Sequence, residues 1–141
     1  MDRYVVDASV IVASLLRDEP YHPAAASLLD EFGKGRLDLL AVSLLRFEVA
    51  NALWKAAMRG RVELDAVLEA AQRFEQFPIL YHDVPVEEII KTAHDYDRTA
   101  YDAAYIVLAR RENVPFVTAD KRLYNALEGG FELIRWIEEV G

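Results

Sequence analysis

Short, strongly apolar segments alternate along this chain with longer segments of helical character, and this alternation constrains the fold more than any other feature. Strands that alternate with helices are typical of a parallel sheet covered by helices on both faces. We therefore predict the doubly wound α/β class. Functional sites in that class lie at the carboxyl ends of the strands, so residues at those ends are the first candidates for chemistry.

Turn-forming residues divide the chain into the predicted elements. The expected strands are residues 3–7, 38–42, 79–82, 116–118 and 131–134. The expected helices are residues 8–16, 23–32, 44–58, 64–77, 86–97, 102–112 and 121–127. Ser43 is in a position to cap the third helix, and Gly60 is placed to end it. Neither an internal repeat nor a flexible linker interrupts the pattern, so we expect residues 1–141 to form a single domain.

Composition limits the chemistry that the chain can perform. The 141 residues include no cysteine and only three histidines, which excludes disulfides, cysteine nucleophiles and zinc sites built on thiolates. The formal net charge of -8 argues against a protein that holds nucleic acid on a broad basic surface. The apolar stretch 8–16 is too short and too polar for a membrane span or signal peptide, so we expect a cytoplasmic protein without membrane contact.

Two carboxylates occupy the ends of predicted strands. Asp7 follows Tyr4, Val5 and Val6, and Asp120 follows the predicted strand 116–118. Each aspartate is equally well explained as the N-cap of the helix that follows it. Capping alone does not explain why two strands each end in an aspartate that precedes a helix. If the two strands are neighbours, their ends would lie roughly 5 Å apart. We therefore expect both carboxylates at one edge of the sheet.

Two further carboxylates lie in predicted helices. Glu48 shares a narrow polar stripe with Asn51 and Lys55 on a helix that is otherwise apolar, although a solvated surface seam would look the same. Asp102 shares a helical face with apolar residues. Thr99 and Asp102 also have nearly the spacing of a capping box, so a purely structural role for Asp102 stays open.

Each of these four carboxylates lies in a segment that can be compared with known families. In chain order the segments are Val5-Val6-Asp7-Ala8-Ser9, Phe47-Glu48-Val49-Ala50-Asn51-Ala52-Leu53, Ala100-Tyr101-Asp102-Ala103-Ala104-Tyr105-Ile106-Val107-Leu108-Ala109 and Val117-Thr118-Ala119-Asp120-Lys121-Arg122-Leu123. Together they resemble the motifs of the PIN-domain nucleases, and most closely the VapC-type toxins of toxin–antitoxin pairs. The resemblance spans nearly the whole chain.

The resemblance carries specific expectations. It implies a three-layer α/β/α sandwich, a homodimer, an antitoxin partner, and endonucleolytic cleavage of RNA with Mg²⁺ or Mn²⁺. The acidic metal ligands of the family fall on Asp7, Glu48, Asp102 and Asp120. Its hydroxyl-bearing positions fall on Ser9 and Thr118, which would support the ligands.

General chemistry agrees with a hard divalent cation at such a site. Carboxylates gathered in one pocket repel one another, so at least one pKa should rise unless a cation offsets the charge. All-oxygen ligation suits Mg²⁺ or Mn²⁺. The candidates for contact with RNA near the acidic residues are Arg46, Lys55, Lys121 and Arg122, each of which is otherwise a solvated surface charge.

Other functions remain open at this stage. A PIN nuclease in RNA maturation or acting on structured DNA would carry the same carboxylates. A non-catalytic RNA- or protein-binding module is a different possibility, although a degenerate site usually lacks one of the ligands. A phosphatase on a similar sheet is a third. Nucleotide-binding enzymes are disfavoured because the sequence has neither a P-loop nor a G-x-G-x-x-G segment.

Overall fold

A single parallel sheet organises the computed structural model, which describes residues 1–140. Its strands are β1 (Asp2–Val6), β2 (Leu37–Val42), β3 (Leu80–His82), β4 (Phe116–Thr118) and β5 (Ile134–Trp136), in the spatial order β3-β2-β1-β4-β5. All four pairings are parallel. The predicted α/β class with a parallel sheet is confirmed.

Helices cover both faces of the sheet. They are α1 (Ala8–Leu15), α2 (His22–Gly33), α3 (Leu44–Met58), α4 (Leu64–Glu75), α5 (Val86–Tyr96), α6 (Ala100–Glu112) and α7 (Lys121–Leu127), followed by a 3-10 turn at Ile137–Glu139. Buried side chains of α1 to α4 pack in one cluster with the first face, and those of α6 and α7 pack with the second. Helix α5 packs against α6. The arrangement is the expected three-layer α/β/α sandwich.

Adjacent residues of the central strands serve opposite faces of the sheet. Val6 and Leu39 belong to the first cluster, whereas Val5 and Leu40 belong to the second. All four are fully buried. A strand buried on both faces needs consecutive apolar residues rather than an alternating pattern, which is why these segments are so strongly apolar.

Two local predictions are wrong. The last strand was expected at residues 131–134 but lies at Ile134–Trp136, because Phe131 donates its backbone N–H to the Leu127 carbonyl and buries its ring in the second cluster. Ser43 does not cap α3 through its side chain. Its backbone is already helical, and its hydroxyl group instead donates to Asp83 at 3.0 Å.

The ends of the other elements lie within two residues of the predictions. Helix α6 begins at Ala100 because the hydroxyl group of Thr99 accepts the backbone N–H of Asp102, which is the first half of the expected capping box. The second half is absent, since the Asp102 carboxylate is hydrogen-bonded to Arg98. Within residues 1–140, none of the helices combines the length and apolar character needed to cross a membrane.

The buried strand β2 provides a direct test of this packing. Leu40 is fully buried between β1 and β3, so Leu40→Ala leaves a cavity that the surrounding sheet cannot close. We expect the variant to lose about 2–5 kcal/mol of unfolding free energy, measured by urea denaturation. Leu64→Ala is the control because Leu64 is exposed at the start of α4. A loss for Leu40→Ala no larger than that of the control would contradict the assigned core.

Candidate active site

The ends of β1 and β4 place Asp7 and Asp120 beside each other at the carboxyl edge of the sheet. Asp7 follows β1 and caps α1, accepting the backbone N–H groups of Ser9 and Val10. Asp120 caps α7 in the same way, accepting the N–H groups of Arg122 and Leu123 through Oδ1. Each aspartate therefore caps a helix and also lies at the end of a strand, so the cap does not exclude a site at this edge.

Two hydroxyl groups connect the strand ends. Thr118 Oγ1 donates to Asp7 Oδ2 at 2.6 Å, and the Ser9 hydroxyl group donates to Asp7 Oδ1. In turn the backbone N–H of Asp120 donates to Thr118 Oγ1 at 3.1 Å, and that of Ala119 donates to Ser9 Oγ at 2.9 Å. Thr118 is fully buried beneath the edge. Both carboxylate oxygens of Asp7 therefore accept hydrogen bonds, which fix the orientation of its side chain.

All four predicted carboxylates line one open pocket of about 280 Å³. Asp7 and Asp120 come from the strand ends, Glu48 comes from α3, and Asp102 comes from the first turn of α6. Asn51 and Lys55, which share the polar stripe of Glu48, also line the pocket. The stripe on α3 therefore faces the carboxylates of the sheet edge rather than bulk solvent alone.

The electrostatics of the pocket differ among its carboxylates. Burial raises the pKa of Asp7 to about 6, and the charge of Asp120 adds to the rise, although hydrogen bonds from Ser9 and Thr118 oppose it. Burial also raises the pKa of Glu48, with a smaller contribution from the charge of Asp102. Two carboxylate pKa values rise, where at least one was expected to, but desolvation is the larger cause and repulsion between carboxylates is the smaller one.

Two donors of the site were not found by sequence reasoning. Tyr105 donates its hydroxyl hydrogen to Glu48 Oε1 at 2.6 Å, and Arg98 contacts Asp102 Oδ2 through Nη2 at 3.0 Å. Tyr105 follows Asp102 by three residues, a spacing that places two side chains on the same face of a helix. That spacing was the available signal for Tyr105. Arg98 lies before the helix begins, where helical spacing gives no guide.

The candidate basic residues divide into two groups. Lys55 lines the pocket, and Arg122 is exposed two residues after Asp120. Lys121 is instead directed over the ring of Trp136, with its ammonium group 4.5 Å from the ring centroid. Arg46 does not line the acidic pocket: it pairs with Glu75 at 3.0 Å and lines a separate groove between α3 and α4.

The donor set fits a hard divalent cation in type, since the pocket offers only oxygen ligands and one amine. Within residues 1–140, however, no three His, Cys, Asp or Glu side chains converge closely enough to hold an ion as they lie. In this arrangement Glu48 is hydrogen-bonded to Tyr105, and Asp102 is hydrogen-bonded to Arg98.

Comparison with known proteins places this geometry in a family. A sequence model described as the PIN domain matches residues 4–128. Exonuclease VapC9 of Pyrobaculum aerophilum is 30% identical over 131 residues, which cover 92% of this chain and 90% of that protein. Ribonuclease VapC3 of the same organism is 33% identical over 128 residues, which cover 86% of this chain and 92% of that protein.

Because the PIN-domain match spans most of the sequence, the chain belongs to the PIN-domain family. Within that family its similarity is to the VapC proteins. A crystal structure of a protein from Pyrobaculum aerophilum has the same fold, with a TM-score of 0.74 and 26% sequence identity. The superposition covers 98% of this chain and 92% of that one.

The raised pKa of Asp7 predicts how stability depends on pH. The folded protein retains the Asp7 proton up to about pH 6, whereas an unfolded aspartate loses it near pH 3.9. Ionised Asp7 therefore destabilises the fold above pH 6, and this effect disappears as the pH falls toward 4. In EDTA, we expect Asp7→Asn to add about 1–3 kcal/mol of unfolding free energy at neutral pH and little at pH 4.

Urea denaturation of both proteins at the two pH values measures this effect. Asp65→Asn is the matched control, because Asp65 is exposed in the first turn of α4 and its removal should cost at most about 1 kcal/mol through the helix dipole, opposite in sign to the effect at Asp7. A larger stabilisation of Asp7→Asn at pH 4 than at neutral pH would reverse the predicted sign and contradict the assignment.

Proposed function

We propose that this protein is a metal-dependent endoribonuclease that hydrolyses RNA phosphodiester bonds and acts as the toxin of a toxin–antitoxin pair. The observation that carries the proposal is the meeting of Asp7, Glu48, Asp102 and Asp120 in one pocket at the carboxyl edge of the sheet. The names of the relatives, ribonuclease VapC3 and exonuclease VapC9, support cleavage of nucleic acid. An RNA-cleaving function of this kind implies action in the cytoplasm.

Mg²⁺, with Mn²⁺ as a substitute, is the cation proposed for the pocket. Asp7, Asp102 and Asp120 are the proposed ligands of the principal ion, and Glu48 would bind a second ion or position water. Lewis acidity supplied by such an ion lowers the pKa of water and offsets negative charge on the phosphate. The pocket contains no histidine, cysteine or serine arranged as a covalent nucleophile, and direct hydrolysis by water needs none.

The other side chains of the pocket have defined tasks in this proposal. Thr118 and Ser9 keep Asp7 oriented, since each donates to a different oxygen of its carboxylate. Such supporting hydrogen bonds fix the direction of a metal ligand. Lys55 provides the positive charge that faces the acidic residues, and it is the candidate to bind a substrate phosphate. RNA binding would thus be local, in agreement with the net charge of -8.

Cleavage of circular single-stranded RNA tests the proposal, because only an endonuclease can open a circle. We expect the purified protein to cut it with Mg²⁺ or Mn²⁺ and not with EDTA. Asp7→Asn should reduce the rate at least 100-fold, because it removes a ligand charge from a buried position. Asp65→Asn should retain the wild-type rate.

Full activity of Asp7→Asn, or equal activity in EDTA, would refute the assigned site. Cleavage of linear RNA without cleavage of circular RNA would show that the protein is an exonuclease and not an endonuclease. Absence of cleavage together with absence of Mn²⁺ binding would favour a non-catalytic binding module. Cleavage of structured DNA in preference to RNA would favour a different nuclease role on the same fold.

An antitoxin is the proposed protein partner. A basic segment could enter the acidic pocket and satisfy the carboxylates in place of a cation, and the charge of the chain would guide its approach. Co-expression with the small reading frames that neighbour the gene should yield a complex that cleaves no RNA. A complex that retains full activity, or no complex with any neighbour, would count against this partner.

A homodimer is the proposed assembly, through an apolar surface formed by α5 and the start of α6. Val86, Ile90 and Tyr101 expose 70%, 61% and 63% of their areas around an open apolar pocket. A second copy is the occupant that suits this surface, because copies with a charge of -8 repel one another and need contact through uncharged area.

Light scattering after size exclusion tests the dimer. Ile90→Glu places a charge in the proposed contact and should give a monomer, whereas Leu68→Glu, on exposed α4, should not change the mass. A monomeric wild-type protein would contradict the proposed assembly.

A further inference from the structure

Tyr105 occupies an unusual position beneath the acidic pocket. Its side chain is 2% exposed, yet its hydroxyl group reaches the pocket wall and donates to Glu48 Oε1 at 2.6 Å. The ring is stacked on Phe116 of β4, with centroids 5.7 Å apart and planes inclined by 13°. The strand that ends at Thr118 therefore fixes the direction of the Tyr105 hydroxyl group.

This contact joins three elements at one carboxylate. Tyr105 belongs to α6, Phe116 to β4 and Glu48 to α3. Glu48 is half-buried on a long helix, and a glutamate side chain loses much conformational entropy when it is ordered. The rigid phenol orders Glu48 in advance, because the ring itself has no freedom to move within the core.

Glu48 can still bind a metal ion while it accepts the hydrogen bond from Tyr105. A carboxylate offers about four acceptor sites, and one O–H group uses one of them. A neutral phenol also leaves the negative charge of Glu48 in the pocket. Arg98 acts differently at Asp102, since its guanidinium group places a positive charge beside that carboxylate.

We propose that Tyr105 is a positioning residue of the acidic pocket, which holds Glu48 through Oε1 and keeps its remaining acceptor sites oriented for a divalent ion or for the attacking water. The inference rests on the proposed metal-dependent function. It assigns to Tyr105 the orientation of Glu48 and no direct contact with substrate.

Mn²⁺ affinity without RNA provides the first test, measured by titration calorimetry on the full chain. We expect Tyr105→Phe to bind Mn²⁺ about tenfold more weakly, as is typical when a hydrogen bond to a metal ligand is lost. The rate constant kcat should fall with it, while KM for RNA stays unchanged because Tyr105 is buried. Tyr96→Phe is the matched control, since it removes a hydroxyl group that donates to the Gly130 carbonyl outside the pocket.

The second test is a double-mutant cycle with Glu48→Gln. If Tyr105 acts through Glu48, Tyr105→Phe should cause no further loss of Mn²⁺ affinity in the Glu48→Gln background. A purely structural role would weaken Mn²⁺ binding equally in both backgrounds. Glu48→Asp provides a variant that does not disturb the core: it keeps the charge but shortens the side chain, and it should show the same loss as Tyr105→Phe.

The outcomes separate this inference from the function on which it rests. A wild-type protein that binds Mn²⁺ and cuts RNA, with Tyr105→Phe and Glu48→Asp unchanged or tighter in Mn²⁺ affinity, overturns only the role of Tyr105. Equal losses in both backgrounds of the cycle do the same. A wild-type protein that neither binds Mn²⁺ nor cuts RNA removes the proposed function and this inference together.

Discussion

The hydrogen bond from Thr118 to Asp7 joins the ends of two neighbouring parallel strands, and the geometry of the acidic pocket depends on it. A carboxylate buried at this edge is unfavourable unless donors surround it, and the first turn of α1, Ser9 and Thr118 provide them. The same hydroxyl group of Thr118 accepts the backbone N–H of Asp120. One buried threonine thus links the two aspartates that the sheet brings together. Glu48 of α3 and Asp102 of α6 complete the pocket around them.

The sequence predicts the layers and the carboxylates of this site well because both follow from local rules. Consecutive apolar residues such as Val5 and Val6 indicate a strand buried on both faces, and carboxylates that follow such strands must lie at one edge of a parallel sheet. The polar stripe of Glu48 on α3 is likewise a consequence of helical periodicity. The PIN-domain resemblance added the grouping of all four carboxylates, which no single segment establishes.

The parts that were missed depend on contacts between distant segments. Periodicity assigns Tyr105 to a helix face, but only the stacking on Phe116 directs its hydroxyl group to Glu48. Ser43 has the right chemistry for a cap, yet Asp83, forty residues later, competes for its hydroxyl group. The last strand begins only at Ile134, and Phe131 is instead buried in the second cluster with side chains of β1, β2, β4, α6 and α7. Neither the contact with Asp83 nor the packing in the second cluster can be inferred from the residues next to Ser43 or Phe131.

Strand β5 lies beyond residue 128, where the match to the PIN-domain model ends. It pairs with β4 so that Trp136 lies opposite Thr118, the residue that holds Asp7. The segment after residue 128 therefore braces the site from outside the region by which the family is identified. A replacement in this C-terminal segment therefore reaches Asp7 through Thr118, and it leaves all four carboxylates of the pocket chemically unchanged.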